Sequence, residues 1–245
     1  MHPISIQGLS VSYDKKIALT NIFLEVRERH IYGVVGPNGA GKSTLFKAIL
    51  GLIPAHAGTV RIFGKPLAQQ RKRIAYVPQK DDIDWQFPAT VLDVVLMGRY
   101  PFKKIFQRIN ASDRKAAMEA LELTGMAAFR SRRIGELSGG QQQRVFLARA
   151  LCQDAAIYLL DEPFAGVDLT TEEHIIGILK ELAACDRTLM VIHHDLSTVP
   201  SYFDQVILVN QRLVAAGATA STFTDSNIAR TFGGQLPVLH RSRLA

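Results

Sequence analysis

Thiols are scarce in this sequence. Only Cys152 and Cys185 occur in 245 residues, without metal-ligand spacing, which excludes a disulfide framework and a cysteine-rich metal site and leads to the expectation of reduced, packed thiols in a reducing compartment. Long apolar runs are missing too. No stretch approaches the roughly 20 residues that span a bilayer, and no charged and apolar leader with a small-residue cleavage site opens the chain, so the protein is expected to be cytosolic and not itself a membrane protein. Internal repeats, low-complexity tracts and long linkers are absent, and tryptophan occurs once, at Trp85. What is present is a hydrophobic content of 47%, enough for one domain, or a large domain with a subdomain, that buries roughly 70 to 75% of its unfolded surface. The net charge of +7 is spread along the chain apart from short clusters at Arg71-Lys72-Arg73 and Arg130 to Arg133. It suits nucleotides, nucleic acid or an anionic membrane surface without choosing among them, and each cluster reads by default as a solvated face.

Near the N-terminus, Ile4, Ile6, Leu9 and Val11 alternate with short or polar residues, and Ile17 to Val26 and Thr59 to Phe63 are again strand-like, which predicts an antiparallel β region. His30 to Val35 is a short apolar strand that runs into a glycine-rich turn, after which Lys42 to Leu50 has helical composition. Ala155 to Leu160, Thr188 to Ile192 and Gln205 to Val209 are compact apolar runs, too short for helices and suited to fully buried parallel strands. With helical segments between them the core is α/β. Between about Asp84 and Leu151 the strand signal disappears. There Val91 to Met97, Asp113 to Leu123, with Ser112 as its N-cap, and Gly139 to Leu151 read as helices. The expected organisation is a β and α/β core over 1–83 and 152–245 with a helical subdomain, 84–151, inserted in it. The tail from Gly233 to Ala245 carries little pattern and is expected to be partly disordered.

Gly36-Pro37-Asn38-Gly39-Ala40-Gly41-Lys42-Ser43-Thr44 fits GxxxxGK[ST] and sits between a buried strand and a helix, the context that mechanism demands. Glycines at 36, 39 and 41 let backbone N–H groups turn inward around phosphate oxygens, and the helix N-terminus adds its positive dipole. Lys42 would reach the β- and γ-phosphates of a nucleotide such as ATP, and the Ser43 hydroxyl would ligate Mg2+. The run ending at Leu160 leads into Asp161-Glu162-Pro163, two carboxylates at the C-terminal edge of a parallel sheet. Asp161 can hold Mg2+ through water, leaving Glu162 to orient or deprotonate the attacking water. Leu137-Ser138-Gly139-Gly140-Gln141 opens another apolar helix with an anion-receptive N-terminus. One nucleotide does not need two such cradles, which hints that the second serves a nucleotide held by another copy.

The pentapeptide Leu137 to Gln141, together with the glycine loop, resembles the ATP-binding subunit of an ATP-binding-cassette (ABC) transporter, and the likeness extends over essentially the whole length. It implies a P-loop NTPase (RecA-like) core with an N-terminal antiparallel β subdomain and an inserted helical subdomain carrying the signature. It further implies a second copy packed head to tail, with Ser138 and Gly140 of one completing the γ-phosphate site on the glycine loop of the other. By the same resemblance Tyr13 stacks on adenine, Gln79 senses Mg2+ and the attacking water, Asp168 belongs to a loop that crosses the dimer interface, and His194, just before Asp195-Leu196, contacts the γ-phosphate. Val167 replaces the family's usual leucine before that aspartate. Adjacent residues leaving a strand point to opposite sides, so His193 and His194 do not form a two-histidine metal site, and His193 is expected to be packed or hydrogen-bonded.

Val77-Pro-Gln-Lys80, Asp84 to Val91, Leu92 to Tyr100, Pro163 to Asp168 and the double histidine resemble the bacterial manganese, zinc or iron importers. Siderophore and cobalamin importers share much of this vocabulary, and a soluble, non-transport ABC ATPase is the other alternative. The importer likeness implies integral membrane permease subunits at the cytoplasmic face of the inner membrane and, indirectly, an extracytoplasmic solute-binding protein, with no nucleic acid partner. Asp81 to Pro88, with Trp85 and Phe87 beside Asp81, Asp82 and Asp84, is the expected docking surface for a permease helix, whereas Val91, Val94, Val95 and Met97 are expected core.

Overall fold

The alternation of the first strand contains a slip. Ile4 and Ile6 are two apart, as are Leu9 and Val11, but three positions separate Ile6 from Leu9. A slip of one residue turns every later side chain to the other face unless the strand is bulged. In the computed structural model, which describes residues 2–14, 16–80, 83, 85, 87–104 and 106–234, the strand is bulged there. Pairing shifts between Ile6 and Leu9, Gly8 takes a left-handed φ of 62°, and all four apolar side chains end up buried on one side.

In chain order the elements are β1 (Ile4–Tyr13), β2 (Lys16–Val26), β3 (Ile31–Val35), α1 (Lys42–Ile49), β4 (Ala57–Ile62), β5 (Lys65–Pro66), β6 (Ile74–Val77), α2 (Val91–Leu96), α3 (Ala111–Leu123), α4 (Gly139–Gln153), β7 (Ile157–Asp161), α5 (Leu169–Ala184), β8 (Thr188–Ile192), α6 (Val199–Tyr202), β9 (Gln205–Asn210), β10 (Arg212–Ala218), α7 (Thr219–Thr222) and α8 (Asp225–Phe232). They fall into two compact units, one taking in the chain up to Gln70 and from Thr188 onward, the other Arg71–Arg187.

In the first unit, β1 lies antiparallel between β2 and β4, and β5 pairs beyond β4. The second sheet region of this unit centres on β3, parallel to β8 on one side and β9 on the other, with β10 antiparallel to β9. Every residue of β3 and β8 is buried, which is why these strands are unbroken apolar runs rather than alternating ones.

In the second unit β6 and β7 pair in parallel, and α2, α3 and α4 pack on one another. No strand longer than an isolated bridge occurs between β6 and β7 among the described residues. The carbonyls of β6 that β7 does not use are taken by two side chains of α4. Arg149 donates to Tyr76 O (2.8 Å) and Gln153 to Ile74 O (2.7 Å). Burial lowers the pKa of Arg149. The turn after α2 passes so close to α4 that a Cβ on Gly98 would lie 2.3 Å from the Arg149 carbonyl oxygen.

Each of the three helices starts with a capping box, Thr90 with Asp93, Asn110 with Asp113 and Ser138 with Gln141. The cap of α3 is therefore Asn110 and not Ser112. Asn110 has a carboxylate three residues on that returns a hydrogen bond to its N–H, whereas Ser112 is followed at that distance by Lys115, which cannot. Asp113 also meets Arg99 at 3.3 Å and the ammonium of Lys103. The Asn110 N–H and these two cations bring its pKa down to about 2 from 3.8. A carboxylate with a depressed folded pKa stabilises the fold above the unfolded value and loses that contribution as pH falls through the folded one. Asp113→Asn is thus expected to lower the melting temperature at pH 7, with the gap from wild type closing as the pH is lowered from about 4 toward about 2; thermal unfolding at graded pH measures it.

Val91, Val94 and Val95 are core, while Met97 is half-buried. Cys152 is buried and its thiol is pushed up to about 11 by that burial. Cys185, expected to be packed, is exposed because it caps the C-terminus of α5. Of the tail, residues 235–245 lie outside the described residues.

Candidate active site

In the first unit, β3 ends at Val35 and the chain turns through 36–41 before α1 begins at Lys42. Gly36 has no room for a side chain, since a Cβ there would stand 2.0 Å from the Val209 carbonyl oxygen of β9. Gly41, the N-cap of α1, has a φ of 93° that only glycine adopts without strain. Gly39 has a φ of 76° with open space around its α-carbon. Asn38 and Gly39 are exposed at the tip, Pro37 is half-buried, and Ala40 is buried with its carbonyl accepting from Gln211 N–H (2.8 Å). Lys42 is buried, and its Nζ donates to the carbonyls of Gly36 (2.8 Å) and Pro37 (2.9 Å). The ammonium is thereby held against the loop. No acid stands in the first turn of α1 and no side chain caps it, so the end carrying Ser43 and Thr44, both half-buried, keeps the positive character that an anion seeks.

Tyr13, at the end of β1, is 44% exposed. The two histidines after β8 point opposite ways. His193 is buried, its Nε2 2.6 Å from Thr198 Oγ1 and its ring packed against Tyr202 and Phe203. Its backbone N–H donates to Val34 O (3.2 Å), which ties the end of β8 to β3, and burial drops the pKa of the ring to about 4. His194 is exposed.

In the second unit the parallel register pairs Val77 with Leu160. Extending it by two residues sets Gln79 opposite Glu162, and the Gln79 Nε2 donates to Glu162 Oε2 at 3.3 Å. Asp161 is fully buried at the end of β7. Glu162 has a φ of 53°, a left-handed backbone unusual for a glutamate and the kind of local strain that collects at functional positions. Ser138 caps α4, its Oγ accepting from Gln141 N–H (3.3 Å) while Gln141 Oε1 accepts from Ser138 N–H (3.0 Å). The Ser138 hydroxyl proton remains available to donate outward. Asp168 caps α5, one oxygen accepting from Thr171 N–H (2.9 Å) and the other from Thr171 Oγ1 (3.0 Å), and these bonds lower its pKa.

The second unit thus brings Gln79 and Glu162 into contact and sets Gly140 beside the 166–167 loop, where a Cβ would meet Val167 at 3.5 Å. One neighbour was not expected. Lys80 Nζ stands 2.5 Å from where a Cβ of Gly139 would be, a juxtaposition of residues far apart in sequence that no local signal reveals. Trp85, expected on a docking surface, is also held within the unit. Half-buried, it packs edge-on against Phe146 of α4 at 5.4 Å and donates its N–H to Lys80 O (3.0 Å). Phe87, 53% exposed, is the open aromatic of that stretch, and Asp81, Asp82 and Asp84 lie outside the described residues.

The ABC transporter family model matches residues 19–165. The chain is 50% identical over 235 residues to the zinc transport system ATP-binding protein TroB of Treponema pallidum (strain Nichols), covering 96% of this chain and 88% of the relative. It is 49% identical over 245 residues to the manganese transport system ATP-binding protein MntB of Bacillus subtilis (strain 168), covering 100% and 98%. Among solved structures it superposes with a TM-score of 0.77 at 26% identity on a nucleotide-free ATP-binding cassette from an ABC transporter, over 94% of this chain and 95% of that one. It also superposes with a TM-score of 0.78 at 26% identity on the ADP conformation of another such cassette, over 96% and 100%. A family model matching residues 19–165 and relatives about 50% identical over nearly the whole chain show that the chain belongs to the ABC transporter family, as an ATP-binding ATPase subunit.

Proposed function

We propose that this chain powers uptake of a divalent transition metal ion, manganese, zinc or iron, through a membrane permease, working at the cytoplasmic face of the inner membrane. The observation that supports this most is the near-50% identity to manganese and zinc transport ATP-binding proteins, which runs from end to end of the chain and is not confined to the nucleotide motifs. The metal is cargo and is not held by this subunit.

The residues fit ATP with Mg2+. Gly36 and Gly41 let the loop backbone pack where a Cβ would strike Val209 O or Ala18 O, Lys42 presents a fixed ammonium, and Asp161 supplies a buried carboxylate at a strand end. In our proposal Gly36 to Thr44 hold the phosphates, Tyr13 stacks on adenine, and Ser43, Gln79 and Asp161 are the residues for Mg2+, which neutralises phosphate charge when bound with ATP. Glu162 takes the proton of the attacking water, Gln79 orients both, and His194 contacts the γ-phosphate. Ser138, Gly139, Gly140 and Gln141 serve the nucleotide of a second copy packed head to tail, with Asp168 at the interface. Positioning and fixed dipoles supply most of the catalysis.

The partners on this proposal are the permease subunits and, outside the membrane, a solute-binding protein. A strain lacking the chain is expected to lose uptake of radioactive manganese or zinc at limiting concentration, and the wild-type gene to restore it. Uptake of manganese, zinc and iron unchanged by the deletion would overturn the proposed cargo while leaving ATP hydrolysis by the purified chain intact.

A further inference from the structure

One surface of the second unit is unused by the nucleotide chemistry. The turn after α2 carries Tyr100, Phe102 and Phe106, exposed by 57%, 39% and 99%. Phe106 holds this position with a φ of 70°, a conformation bulky side chains rarely adopt. Single exposed apolar residues are ordinary, but three aromatics within seven positions are a patch.

The charge around them is of one sign. Residues 97–108 contain Arg99, Lys103, Lys104 and Arg108 and no acid. Arg99 and Lys103 are engaged by Asp113, whereas the exposed side chains of Lys104 and Arg108 have no ion-pair partner among the described residues. The basic run Arg71-Lys72-Arg73 joins the same surface. Lys72 Nζ lies 5.9 Å and Arg99 Cζ 4.8 Å from the centroid of the Phe102 ring, so an exposed aromatic is set among cations.

We infer that this aromatic and basic surface rests on an anionic lipid bilayer, the aromatic rings at headgroup depth and Lys104 and Arg108 on the lipid phosphates. A tyrosine, apolar in the ring and polar at the tip, favours the membrane interface, exposed phenylalanines insert at the headgroup boundary, and basic side chains near an anionic leaflet each add an increment of binding that salt removes. A protein groove would suit the rings equally, but a run of like-charged side chains around them matches a uniformly anionic surface. The inference goes beyond the proposed cargo and does not depend on it.

The purified chain, without any permease, is spun down with vesicles of phosphatidylcholine alone or mixed with phosphatidylglycerol. Binding is expected to the phosphatidylglycerol vesicles only, to weaken in high salt, and to fall about tenfold or more in Lys104→Glu/Arg108→Glu. Phe106→Ser is expected to weaken it severalfold. ATP hydrolysis by these variants stays at the wild-type rate, which shows that they are folded and reads the cassette separately from the surface. Absent binding, equal binding to both vesicle types, or undiminished binding by the double variant would overturn the inference, as would a surface that is protected only by a copurifying protein.

Discussion

Glu162→Gln lowers the rate of ATP hydrolysis by about 10²- to 10⁴-fold, the span that a positioned general base contributes, while leaving ATP binding unchanged. The substitution is nearly isosteric. It keeps the side-chain length at a backbone φ of 53° and leaves an oxygen that can accept from Gln79 Nε2, so the geometry of the strand ends is preserved and only the capacity to take a proton is lost. Phosphate release at saturating ATP, alongside binding of a fluorescent ATP analogue, separates the two effects. Turnover within a few fold of wild type would place the base elsewhere.

The second large effect is expected from a single methyl group. In Gly36→Ala the new Cβ would start 2.0 Å from the Val209 carbonyl oxygen, and this neighbour is backbone of a paired, buried strand that cannot swing aside. Loop and strand must part. Overpacking of this kind costs about 1–3 kcal/mol, or a melting temperature lower by about 2–12 °C in a chain of this size. Lys42 Nζ donates to the Gly36 carbonyl, so displacement of the loop also moves the ammonium, and ATP affinity is expected to fall by at least about a hundredfold as charged hydrogen bonds to phosphate are lost. Gly39→Ala is the comparison. Nothing stands within 4 Å of its Cβ position, so that variant carries only the strain of a φ of 76°, about 1–2 kcal/mol, and keeps most of its affinity. Titration calorimetry and thermal unfolding of the two variants test the contrast.

How far the sequence discloses the molecule follows from what each signal depends on. The buried strands β3, β8 and β9 were legible because burial on both faces demands unbroken apolar runs, and the phosphate loop because glycine spacing encodes its backbone directly. β10 was not, since Arg-Leu-Val-Ala-Ala-Gly-Ala has too little β-branched alternation to announce an edge strand. The packing partner of Trp85 was not legible, because its sequence neighbours are three aspartates, whereas its ring is settled by Phe146, some sixty residues on. Contacts such as Gln79 with Glu162, or Lys80 with Gly139, come from strand register and helix placement, which no local pattern specifies.

The two bonds from α4 to the free edge of β6 have a thermodynamic consequence. Ser138 opens this helix, and Arg149 and Gln153, toward its other end, grip the strand that delivers Gln79. A rigid helix fastened in this way cannot be displaced at its first turn without altering the free energy of the strand it holds. Any ligand that prefers one placement of Ser138 therefore favours one placement of Gln79, and by linkage whatever engages Gln79 returns the same bias to Ser138. Both ends of this coupling lie within one unit, joined by a helix of fifteen residues and its two side-chain bonds to the strand.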